Sequence, residues 1–167
     1  MLTEQTATSA MWFLPFALPI SVWVAWTDMA QMKILNKAVF TLVAVYAVVG
    51  LIALPLEDYA WRWTHLLIVL GIGFVATGIG IVGGGDAKFA AAMAPFILRE
   101  DLATFLLLFA AVVVAGFVTH RLARRIPAIR ARTPNWESWE RKKDFPMGLC
   151  LGGALSFYLA LGVVYGS

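Results

Sequence analysis

The sequence predicts an all-α polytopic membrane helix bundle of about six transmembrane helices, with both termini outside. Three observations predict it. Of 167 residues, 61% are hydrophobic and only 14% are charged, against roughly a quarter charged in a soluble domain. The mean hydropathy is +0.81, so there is too little polar surface to coat a globule in water. The apolar residues gather into runs close to the roughly 20 residues that one helix needs to cross a bilayer core.

The runs are taken in order: 10–28, 38–56, 65–82, 86–98, 102–120 and 146–165. The nine residues before the first run hold Glu4 and no Lys or Arg. A secretory signal has a basic start, so the run is read as a retained span. The fourth run is short and suffices only if it starts at its glycines, tilts, or is shielded by neighbours. Residues 1–167 are expected to form a single integral-membrane domain, with a basic cytoplasmic loop at 121–145. The single cysteine, Cys150, excludes an internal disulfide and is expected to act as a small apolar packing residue.

Orientation follows the basic residues, which favour the cytoplasmic side. Lys33, Lys37, Lys88 and the eight of the 121–145 loop fall on one side of a six-span bundle. Of the 13 basic residues, only Arg62 and Arg99 fall on the other. Dropping the fourth span would put Lys88 on the opposite side from the main basic loop. That loop is expected to meet anionic lipid headgroups, and Trp12, Trp61, Trp63, Trp136 and Trp139 suit the membrane interface. No nucleic-acid partner is expected.

Ionisable groups at membrane depth are expensive and therefore candidates for function. Asp28 ends the first run in "VWVAWTDMAQMKILN". Asp86 opens the fourth in "GIVGGGDAKFAAAMAPF". The topology brings both to the cytoplasmic boundary. Two carboxylates at one level are the equipment of an aspartic hydrolase: one takes a proton from water, and the other polarises the scissile carbonyl. Asp86 also suits a helix N-cap, and Asp28 could simply snorkel toward Lys33. Helix-end dipoles would make Asp86 the base and Asp28 the acid. His120 is expected to be interfacial rather than a base. No cluster with metal-ligand spacing occurs, and no cofactor is expected.

Gly83-x-Gly85-Asp86 has the GxGD form of intramembrane aspartyl proteases. With Lys88 it reads "GGGDAK" and resembles the type IV prepilin peptidases. Downstream of Asp28, "MAQMKILNK" is similar to that family's basic stretch and Ile-Pro-Asn-like element, with Ile34 and Asn36 present and Leu35 where Pro is usual. "DFPMGLCLGGALSF" is similar to the family's Pro-aromatic-Gly-Pro-Ala helix start. The resemblance implies catalytic Asp28 and Asp86, supported by Gly83, Gly85, Lys88 and Asn36.

It also implies a substrate class. The chain lacks the paired-cysteine segment of longer, N-methylating members and resembles the short branch serving Flp-type (tight adherence) pili. Such enzymes remove the leader of prepilins or pseudopilins after a Gly, next to a hydrophobic helix, at the cytoplasmic face of the bacterial inner membrane. Two other classes compete: a non-catalytic pilin-binding scaffold and a small ion- or proton-coupled transport protein. The transport reading predicts charges near mid-bilayer and repeat symmetry, and the sequence displays neither.

Overall fold

The computed structural model describes residues 3–141 and 144–166, and among them only helices, turns and loops occur. Lys142 and Lys143 of the basic loop lie outside the described residues. Eight helices follow one another: α1 (Ala7–Gln31), α2 (Asn36–Ala53), α3 (Leu56–Gly78), α4 (Gly84–Met93), α5 (Leu102–Ala123), α6 (Pro127–Arg132), α7 (Glu137–Glu140) and α8 (Met147–Tyr165). α1, α2, α3, α5 and α8 are long and apolar enough to cross a membrane. The chain is an all-α helix bundle.

Local chemistry explains the boundaries. Thr6 caps α1, its hydroxyl accepting the Ser9 N–H, which satisfies one of the free donors of a first turn. α3 begins nine residues before the expected span. Hydropathy counts Glu57 and Asp58 as loop, yet they occupy the first turn of the helix, where its dipole favours negative charge. It stops at Gly78, short of the expected residue 82, and Gly80 turns the chain with φ +77°.

α4 is the short element expected from the fourth run. Its 10 residues rise about 15 Å, half of a bilayer core. A 3₁₀ turn, Ala94–Phe96, extends it, and Pro95 ends the regular helix because proline has no N–H to donate. Ala87, Phe89, Ala91, Ala92 and Met93 are all buried, so neighbours do shield it: α4 packs on α2, α3 and α8.

α1 and α8 form the most extensive helix pair, and α5 joins the bundle mainly through α8. Gly152 lets α8 lie against the α1 backbone, since a Cβ there would fall 2.7 Å from the Ser21 carbonyl oxygen. The core centres on aromatic rings. Tyr46 stacks on Tyr59 at 5.5 Å and meets Trp63 and Phe96 edge-on at 5.1 and 5.5 Å.

The bundle end away from Asp28 and Asp86 holds a polar knot. Asp101 precedes α5, is 2% exposed, and accepts from the Thr3 hydroxyl (2.6 Å), the Glu4 N–H (2.7 Å), the Tyr158 hydroxyl (2.7 Å) and the Gln5 N–H (3.1 Å). Arg62, also buried, donates to Gln5 Oε1 at 3.2 Å. The residues before α1 are thereby tied to α3, α5 and α8. Burial alone would raise the Asp101 pKa, but these four donors outweigh it and hold the carboxyl below its ordinary range. The depressed value means that this stabilisation is present above the ordinary carboxylate range and is lost as pH falls through the depressed value. Asp101→Asn is expected to destabilise the chain by on the order of 3 kcal/mol at neutral pH. In thermal melts the gap to wild type should close as the buffer is acidified.

Two expectations at the other end need correction. Trp139 is not interfacial: it is 1% exposed, stacks on His120 at 5.1 Å and donates its indole N–H to the Thr133 carbonyl at 3.0 Å. His120 is likewise buried at 2%, with Phe145 edge-on at 5.8 Å. The loop after α5 folds back over its own helix end, and these rings fill the space beneath it. Cys150 behaves as expected, buried with its sulfur 3.7 Å from the Val112 carbonyl.

Candidate active site

Asp28 lies in the last turn of α1 and is 4% exposed. Its backbone carbonyl accepts the N–H of Met32, which takes a left-handed conformation at φ 51°. This turn leads the chain into the short link to α2. The Asp28 side chain does not reach for Lys33; among the described residues no ion pair joins them. Its Oδ2 accepts the backbone N–H of Gly148 at 2.6 Å.

Gly148 lies in the first turn of α8, where backbone donors have no partner within the helix. Asp28 supplies the missing acceptor at a helix end whose dipole favours negative charge. The helix-end argument for Asp28 as the acid therefore loses its premise. Asp28 closes α1 but occupies the amino end of α8, so both carboxylates sit at helix amino ends. Helix dipoles do not separate acid from base.

Asp86 is in the first turn of α4 and is partly buried. Its carboxylate folds back over Gly83. A Cβ on Gly83 would lie 2.7 Å from Asp86 Oδ2, and one on Gly85 would lie 3.3 Å from the Cβ of Ile34. The two glycines thus have separate jobs: Gly83 leaves room for the carboxylate, and Gly85 lets α4 approach the link that follows Asp28. Gly84 has only an ordinary contact, 3.7 Å to Thr77. Gly85, next to Asp86, packs on Ile34 of the link that follows Asp28, so the two carboxylates lie at the same end of the bundle.

Lys88 and Asn36 come together, Lys88 Nζ lying 3.4 Å from Asn36 Oδ1. This exposed contact links α4 to the start of α2. Among the described residues Lys88 makes no ion pair with Asp86. His120 brings neither ring nitrogen to a hydrogen-bond partner among the described residues, and its ring is spent on packing.

Gly148 is the site residue that reading the chain missed. Its signal was present in "DFPMGLCLGGALSF", where a helix start was legible but its partner was not.

No curated protein and no solved structure matches this chain. The family model of the type IV leader peptidase family matches residues 15–119. The match takes in Asp28, the link to α2, the glycines and Asp86, and stops before α8. With more than half of its length covered, and both carboxylates inside the matched region, the chain belongs to the type IV leader peptidase family.

Proposed function

We propose that this membrane-embedded peptidase is an aspartic endopeptidase that removes the leader from Flp-type prepilins or pseudopilins after a Gly. The observation that carries the reading is the placement of Asp28 and Asp86, on separate helices, at one end of the bundle, where α4 packs on the link that follows Asp28. The attacking water is held between the two carboxylates. One takes a proton from it as its oxygen adds to the leader carbonyl, and the protonated partner polarises that carbonyl. Collapse breaks the C–N bond and passes a proton to the departing amine. The reaction needs one carboxyl protonated and the other ionised, and the two exchange those roles in the course of a turnover.

With one cysteine, the chain has no counterpart of the paired-cysteine segment, and we assign it no N-methyltransferase activity. Its orientation in the bacterial inner membrane puts the carboxylate end at the cytoplasm and both termini outside, following the basic loop. At that end Arg121, Arg124, Arg125 and Arg130 line an open cradle of about 380 Å³. Arg130 also pairs with Glu140 at 2.9 Å. The cradle suits the phosphates of anionic lipid headgroups, with about 1 kcal/mol for each basic residue near the surface. Phosphatidylglycerol nanodiscs should raise the melting temperature above that in phosphatidylcholine. Replacing Arg124 and Arg125 with Gln should remove at least about half of that rise.

The test of function is a cleavage assay. The detergent-solubilised chain is mixed with a Flp-type prepilin, and the mature N-terminus is read by mass spectrometry. A cut directly after the leader Gly is expected. Prepilin that binds and stays whole would leave a scaffold in place of an enzyme.

A further inference from the structure

Among the described residues α3 and α5 make no extensive contact with one another. Between them, floored by α4, runs an apolar groove of about 560 Å³. Its walls are Ile68 of α3 with Leu106 and Phe109 of α5; Ala90, Ala94 and Ile97 form the floor. α3 and α5 turn most of their surface outward, so the groove opens sideways to the membrane.

The direction of the floor decides what the groove is for. Residues four apart share a helix face. Asp86, Ala90 and Ala94 therefore form one stripe, and the groove floor starts one turn beyond the Asp86 carboxylate. α8 repeats the arrangement. Gly148 holds Asp28, and Leu151, three residues on, lines the groove. Both helices that hold the carboxylates thus continue into the same channel, away from the cleavage level and toward the end lined by Trp61 and Arg99.

We infer that this groove seats the apolar helix that follows the cleavage site in the substrate. The inference rests on the leader-peptidase reading and says where that substrate lies. A helix in the groove has its first residues at the carboxylates and its remainder along α4. Ala90 and Ala94 present no bulk, so a second helix backbone can approach α4 closely, as small residues allow between membrane helices. The ridges of Ile68, Leu106 and Phe109 meet its side chains. Binding this remote segment brings the leader junction to Asp28 and Asp86 and adds affinity that ground state and transition state share. An acyl chain would fill the apolar walls equally well, but it gives no reason for the floor to begin one turn from a carboxylate.

Leu106 and Leu107 test this at one depth. Leu106 lines the groove and is 54% exposed; its neighbour Leu107 is 74% exposed and lies outside the groove. Neither is a core residue, so both variants should fold. Leu106→Trp narrows the groove and should raise KM for a helix-bearing prepilin about tenfold, with kcat within about twofold of wild type. Leu107→Trp should leave both unchanged. A Leu106→Trp enzyme as efficient as wild type would overturn the inference, as would equal losses in the two variants.

Capture supplies a readout independent of cleavage. With p-benzoylphenylalanine at position 106 in an Asp28→Asn chain, ultraviolet light should join the enzyme to the apolar helix of uncleaved prepilin. The same probe at position 107 should not. Capture of lipid alone, or of a second copy of the chain, would assign the groove to that occupant and overturn ours. The two failures separate. Wild-type cleavage without capture at 106 refutes the docking groove and leaves the activity. Capture at 106 without any wild-type cleavage refutes the activity and leaves the groove.

Discussion

Asp28→Asn and Asp86→Asn should each lower kcat for prepilin cleavage by about 10³-fold or more, within the range that a positioned acid or base contributes. Each change keeps the shape of the side chain and removes its ability to exchange a proton. In Asp28→Asn the amide oxygen can still accept the Gly148 N–H, so the tie between α1 and α8 survives in a neutral form. Melting temperature should therefore move far less than activity. The double variant should be scarcely worse than either single one, because residues that act as a unit are not additive. The assay is mass-spectrometric cleavage beside thermal unfolding in detergent. Cleavage that persists in either single variant would show that a different group performs the proton transfer.

Gly148→Ala should lower kcat by about 10²-fold, the cost of misplacing a catalytic group by roughly an ångström. The added Cβ would lie 2.9 Å from Asp28 Cβ, 3.0 Å from Oδ2 and 3.1 Å from Cγ. These are three atoms of one buried side chain, held by a hydrogen bond to the same residue. The methyl cannot be met by rotating a distant tip; the whole carboxylate must move. Gly153→Ala is the control. Its Cβ would meet only Val112 Cγ1 at 3.3 Å, a contact that involves neither carboxylate, and turnover should be nearly unchanged. A purely structural role for Gly148 would lower the melting temperature and spare the pH profile. The positioning role predicts that the pH–rate profile of Gly148→Ala shifts, since the environment of Asp28 changes.

Much of the candidate site is visible along the chain because its signals are local. Gly83, Gly85 and Asp86 lie within four residues: the Asp86 carboxylate folds over Gly83 within one helical turn, while Gly85 makes room for Ile34 of the link before α2. Asn36 and Lys88 were legible as motif members, and the fold makes them neighbours. α3 shows where hydropathy fails. Glu57, Asp58 and Arg62 made its first turns look like a loop, yet Glu57 and Asp58 suit a helix amino end and Arg62 bonds to Gln5. Trp139 and His120 show the same limit from the other side. Their composition suits an interface, but a loop that folds back buries them on each other.

The sequence by itself determined the membrane character, the number and order of the apolar segments, the short fourth helix, and the two carboxylates with their glycines. These are properties of composition and near spacing, which follow from the chain's own covalent neighbours. Only the tertiary structure decided that Asp28 takes its partner from Gly148, that Asp101 gathers the residues before α1, and that α3 and α5 stand apart over α4. Each of these joins segments far apart in the chain. The physical reason lies in packing. A buried carboxylate needs donors, and which donors reach it, like which helix faces stay uncovered, depends on how the helices pack.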